Sequence, residues 1–152
     1  MENTKDIIND LEGLINICND GKEGYDHASA STESIELQGT FLKLSAQREG
    51  FAQELKDHIA VHGGDSQNDT GGVMGALHRT WIDFKQAFTS KDDVAILSAI
   101  ETGEQAAIEK YDLCIIDYPS HKDHLEMLKR QRFSIAEALR EIHQLRIQFE
   151  KR

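Results

Sequence analysis

Proline occurs once in this chain of 152 residues, at Pro119. Proline costs about 3 kcal/mol inside a helix and glycine about 1 kcal/mol, so long stretches free of both are what helices need. The glycines concentrate at 63–64 and 71–72, which leaves such stretches on either side. Within them the apolar residues recur every three or four positions. Alternation at period two, the mark of a half-buried strand, is absent.

The first segment carries Ile7, Leu11, Leu14 or Ile15, Cys18, Tyr25 and Ala28 on one stripe, with Asn3 or Thr4 as its N-cap. Gly21 and Gly24 interrupt it, either weakening the helix locally or letting a neighbour approach closely. A polar stretch from Ser29 to Ser34 turns the chain into a second helix. Its seam reads Leu37, Phe41, Leu44, Arg48, Phe51, Leu55, His58 or Ile59, and His62. Gly63-Gly64 ends that helix and opens the one clear loop. A shorter amphipathic helix follows, with Val73 or Met74, Leu77, Trp81, Phe84 and Phe88 on one face. Ser90 and Asp93 resemble a capping box for the next long helix. The seam of that helix is Val94, Leu97, Ile100 or Glu101, Glu104, Ile108, Tyr111, Ile115 and Tyr118. Pro119 closes it and Ser120 starts the last, whose seam is Leu125 or His124, Leu128, Gln131, Ile135, Leu139, Ile142, Leu145 and Phe149. Four long amphipathic helices joined by short turns pack as an antiparallel bundle. The expectation is an all-α, four-helix bundle over residues 1–152 as a single domain, with one short extra helix between the second and third bundle helices.

Charge and cysteine usage narrow the class of function. With 17 basic against 27 acidic side chains the net charge is −10, and nucleic acid, which demands a basic face, is an unfavourable partner. No apolar run approaches the ~20 residues needed to span a membrane. The first residues lack the basic and apolar regions of a secretory signal. Cys18 and Cys114 match no metal or redox spacing, which predicts a reduced, cytoplasmic setting.

The informative residues are those that break the stripes. Cys18, Arg48, Glu104 and Gln131 each sit near the middle of a long helix, where the pattern demands a hydrophobe. Singly, each has an ordinary explanation: a small buried thiol, a snorkelling arginine, a residue rotated off the seam. In an antiparallel bundle the four midpoints share one level, so the four can form one buried polar layer. There Arg48 and Glu104 neutralise each other and Gln131 satisfies a remaining donor or acceptor.

Four stretches carry a resemblance: Cys18-Asn-Asp-Gly-Lys-Glu-Gly-Tyr25, Ala46-Gln-Arg-Glu-Gly-Phe-Ala-Gln-Glu-Leu55, Leu77-His-Arg-Thr-Trp-Ile-Asp-Phe-Lys85 and Glu101-Thr-Gly-Glu-Gln-Ala-Ala-Ile-Glu-Lys-Tyr111. In these the chain resembles a bacterial family of conserved hypothetical proteins with a domain of unknown function. That family is classed with ferritin-like four-helix bundles, so the resemblance implies a ferritin-like fold and brings no established activity or cofactor. Set against the wider ferritin and rubrerythrin superfamily, the first-helix glutamate position falls on Cys18. The second-helix Glu-x-x-His falls on Arg48 and Phe51, and the fourth-helix one on Gln131 and Ser134. The third-helix glutamate is kept as Glu104 or Glu101. The resemblance therefore implies a degenerate di-metal site whose place is taken by a polar layer.

On these grounds the expectation is a non-catalytic structural or interaction protein without a cofactor. The alternative is a metalloprotein holding iron, manganese or zinc through Glu101, Glu104, His58 and His62, with a redox or storage role. His58 and His62, four apart on one helix, have the spacing with which two imidazoles grip zinc. Their other reading is two histidines favoured by the helix C-terminus. His78 and Trp81 on the short helix suit either core packing or an interface with a second copy or a protein partner.

Overall fold

The computed structural model describes residues 4–61, 92–117 and 122–152. The described residues form four helices and no strand: α1 (Thr4–Ser31), α2 (Ile35–Val61), α3 (Asp93–Asp117) and α4 (Lys122–Glu150). The expected short helix with His78 and Trp81, the Gly63-Gly64 loop, Asn3, Ser90 and Pro119 all lie outside the described residues.

Local chemistry sets the helix limits that can be seen. Helix α1 runs through the first half of the polar stretch and stops at Ser31. Thr32 and Ser34 then build the turn. Ser34 Oγ accepts from Leu37 N at 3.2 Å, which makes Ser34 the N-cap of α2. Thr32 Oγ1 donates to Asp93 Oδ1 at 2.6 Å and so fastens this turn to the start of α3. The cap of α3 differs from the expected box. Asp92 Oδ1 accepts from Val94 N at 3.0 Å and Ala95 N at 3.3 Å, so Asp92 is the N-cap and Asp93 is free to reach across to Thr32.

The seams open in the sequence resolve by burial. Leu14 and Ile15 are both buried, as are Ile59, Ile100 and His124, whereas His58, Glu101 and Leu125 are only partly covered. Ala52 takes the core place expected for Phe51, which packs at the margin.

Two apolar clusters reveal the topology. One holds Leu11 to Cys18 of α1, Ala52 to Ile59 of α2, Ala107 and Tyr111 of α3, and Met127 to Ile135 of α4. The other holds Tyr25 and Ala28, Leu37 to Leu44, Ile96 to Ile100, and Ala138 to Leu145. Helices α1 and α4 therefore run one way and α2 and α3 the other. Helix α1 packs along α2, α3 along α4, and α1 also meets α3, each pair antiparallel. Short turns suffice at both hairpins but not between them. Helix α2 ends at one end of the bundle and α3 begins at the other, so this junction is a long crossover connection.

Candidate functional site

Between the two apolar clusters the sequence of α2 places Arg48 and that of α3 places Glu104. Both side chains are at most 1% exposed. Their heads meet end to end: Arg48 Nη1 donates to Glu104 Oε1 at 2.7 Å, and Nη2 donates to Oε2. Tyr25 of α1 donates its hydroxyl to Glu104 Oε2 at 2.7 Å. Its ring also lies 5.6 Å from the guanidinium carbon, within cation–π range. Arg48 Nε finds no partner among the described residues.

Gly21 makes room for this arrangement. A methyl group built there would stand 3.1 Å from Arg48 Nη1 and 3.5 Å from Cγ. Of the two readings the sequence left open for this glycine, close approach is the one that applies. Gly50 meets nothing comparable, and a side chain there would enter open space.

Cys18 and Gln131 join a different group, about two turns along the helices. Cys18 Sγ lies 3.3 Å from the Tyr111 hydroxyl, which donates to Gln131 Oε1 at 2.6 Å. Gln131 Nε2 in turn donates to Glu54 Oε1 at 2.7 Å, and Arg130 closes on Glu54 Oε2 from the surface. The expected single layer is thus two adjacent hydrogen-bonded groups, Tyr25–Glu104–Arg48 and Cys18–Tyr111–Gln131–Glu54. Gln131 does not serve the Arg48–Glu104 pair, because Tyr111 and Glu54 occupy both ends of its amide. The sequence places neither tyrosine nor Glu54 in the expected polar layer. A tyrosine on a core seam is a signal, since a buried hydroxyl needs a partner.

Burial sets the protonation of the thiol and the two phenols. Burial pushes the Cys18 thiol up to about 11, against the opposing pull of Tyr111 and Arg48. Burial likewise drives both phenols well above their ordinary range, reinforced by Glu104 at Tyr25 and by Cys18 at Tyr111. Burial alone would make Arg48 easier to deprotonate, but Glu104, joined by Tyr25 and Cys18, outweighs it and the net shift is upward. A protonated thiol is neither nucleophile nor metal ligand. Near neutral pH the thiol and both phenols are therefore protonated.

Of the four alternative metal ligands, the three that are described are not gathered. Glu104 is engaged by Arg48 and Tyr25. Glu101 faces α4, where Arg146 Nε donates to its Oε1 at 2.7 Å and His143 stands 3.4 Å away. His58 contacts His124 of α4, and His62 lies outside the described residues. Among the described residues no group of three or more His, Cys, Asp or Glu side chains is placed to hold a metal ion. No helix among them is long and apolar enough to cross a membrane.

Removing one member of a buried ion pair strands the other charge, whereas replacing both with hydrophobes is near neutral. Arg48→Met and Glu104→Leu are each expected to cost about 3–5 kcal/mol in urea unfolding. The double variant recovers most of that loss, and adding Tyr25→Phe retires the stranded hydroxyl; strict additivity would show that the pair carries no coupling. Glycine to alanine within a helix ordinarily gains up to about 1 kcal/mol. Gly50→Ala should show that gain, while Gly21→Ala should lose stability because the pinned guanidinium cannot yield. Equal gains at both sites would contradict the close approach.

The alkaline limb tests the thiol. Below pH 9.0, the ordinary value, Cys18 is protonated in folded and unfolded chains alike, and its contribution is constant. As pH rises from there to about 11 the unfolded chain loses the proton first and stability falls, by roughly 3 kcal/mol for this group. Cys18→Ala should remove that part of the slope. Wild-type and variant curves that stay parallel across this range would show that the fold does not hold the thiol protonated.

No curated protein and no solved structure matches this chain. A family profile does, over residues 6–116, which take in α1, α2 and nearly all of α3 and so include Tyr25, Arg48, Glu104 and Tyr111. The chain belongs to that family, the domain of unknown function DUF2383.

Proposed function

We propose that this protein is a non-catalytic, ferritin-like bundle in which a buried ion pair stands where a di-metal centre would be, and that it acts as a structural or interaction protein in the cytoplasm. One observation carries the reading. The middle of the bundle, where ferritin-like proteins place carboxylate and imidazole ligands, holds the permanent cation Arg48 bonded to both oxygens of Glu104. A guanidinium at that point repels a divalent ion, and it already uses the carboxylate that the ion would need. The single crossover between two antiparallel hairpins supports the ferritin-like assignment, since that connectivity is characteristic of the class. An interaction role is supported by the outer face of α2. Ile35 is 85% exposed and Leu42 55%, and they alternate with Gly39, Ala46 and Gly50, all exposed. In a chain with net charge −10 this largely uncharged face stands out.

The test is elemental analysis of untagged protein for iron and manganese. The expected result is neither metal at stoichiometric level in a fully folded, helical chain. Stoichiometric iron or manganese that persists in a His58→Ala variant would place a metal in the bundle middle and overturn the reading.

A further inference from the structure

Helices α2 and α4 lie side by side and are joined by side chains, without the close backbone packing of the hairpins. Two recesses of about 300 and 550 Å³ open along the seam between them. Ala46 and Gly50 offer little side chain to fill the larger one. Phe133 borders the smaller one and is 64% exposed. Leu42, more than half exposed, projects from the outer face of α2.

The charges along this seam nearly cancel. Lys43 pairs with Glu141, Arg130 with Glu54 and Arg140 with Glu137. Among the residues lining the two recesses only Asp57 is then left over, and Gln53 donates to it at 3.0 Å. The whole chain carries −10. Two copies of so acidic a chain repel each other over most of their surface, and a near-neutral face is where that opposition is least. A basic partner would gain more elsewhere, on the acidic surface.

Shape and size point the same way. The face carries protruding apolar side chains, Leu42 and Phe133, together with recesses for such side chains to enter. One patch can therefore serve both sides of a two-fold contact, in which each copy offers the same surface. Helices of 27 and 29 residues are about 40 Å long, and two of them abreast span about 20 Å. Their outer face is thus roughly 800 Å², which is what each partner gives to a stable interface.

We propose that a second copy of this chain packs on the α2–α4 face through a two-fold contact, so that the protein is a homodimer. Apolar side chains of each copy enter the seam of the other, and the ion pairs form the rim. The dimer rests on the interaction role proposed above and gives that role its partner. It is independent of the bundle middle. A metal-free monomer overturns the dimer alone, whereas iron or manganese in the bundle middle overturns the earlier reading and leaves the mass unchanged.

Sedimentation equilibrium of the untagged protein reads the outcome. At millimolar concentration the mass should be twice the 17.1 kDa of one chain. Leu42→Glu and Phe133→Glu, both at exposed positions, should each return it to the mass of one chain, with helicity and urea midpoint unchanged. Leu113→Glu alters a comparably exposed side chain on α3, outside this face, and should leave the dimer intact. A wild-type mass of one chain at millimolar concentration would leave the face to a different protein and overturn the proposal. A dimer that survives both Leu42→Glu and Phe133→Glu places the contact elsewhere and also overturns it. Amide NMR on dilution needs no variant: the resonances of Leu42, Gly50 and Phe133 should shift as the dimer dissociates. Shifts confined to α1 and α3 would contradict the contact.

Discussion

The bond between Arg48 and Glu104 sets the terms for the rest of the bundle. Two opposite charges, both out of water, survive only where each satisfies the other, and their neighbours are arranged around that demand. Gly21 gives up a side chain so that the guanidinium can lie against α1. Tyr25 supplies a hydroxyl to the carboxylate and a ring face to the cation. The core divides into two apolar clusters on either side of this level. A layer of this kind contributes little net stability compared with a hydrophobic filling, and its value is in specifying which residues face one another.

The helix seams are not held alike. Along α1–α2 and α3–α4 the backbones pack closely, as hairpins do. Between α2 and α4 the contacts are made by side chains with reach: Lys43 to Glu141 at 3.2 Å, Glu54 to Arg130 and Gln131, and His58 to His124. The two exposed ion pairs among these, Lys43–Glu141 and Arg130–Glu54, are each worth little, being screened by solvent. Polar side chains thus join α2 to α4, while each apolar cluster draws on all four helices.

Much of this was legible in the amino-acid order, and the parts that were not have physical reasons. Helices and their inner faces follow from a period that a lone proline and clustered glycines leave uninterrupted. Arg48 and Glu104 stand out because a charge on an apolar stripe has few ways to exist. Gln131 also stands out, but its partner does not. An amide can pair with many groups, and only the axial offset between α3 and α4 selects Tyr111 over Glu104. The cap at Asp92 was missed because Asp92 and Asp93 are chemically the same, and the choice turns on Thr32, sixty-one residues away. Glu101 and Glu104 are three apart on one helix, yet they face different neighbours. The direction of α2 relative to α3 was likewise hidden, since periodicity carries no information about which end of a helix its successor starts from.

That direction has a consequence for assembly. Each hairpin is local in sequence and can form with little loop-closure entropy, but Arg48 belongs to the first and Glu104 to the second. Until the hairpins meet, both charges remain hydrated. Docking removes their water at the same moment that it supplies the partner. A meeting displaced by one helical turn buries two unmatched ions and gains nothing in return, at a cost of several kcal/mol for each ion. The correct alignment is therefore selected at the docking step by the penalty attached to every other one, much as a keyed connector accepts its mate in a single orientation.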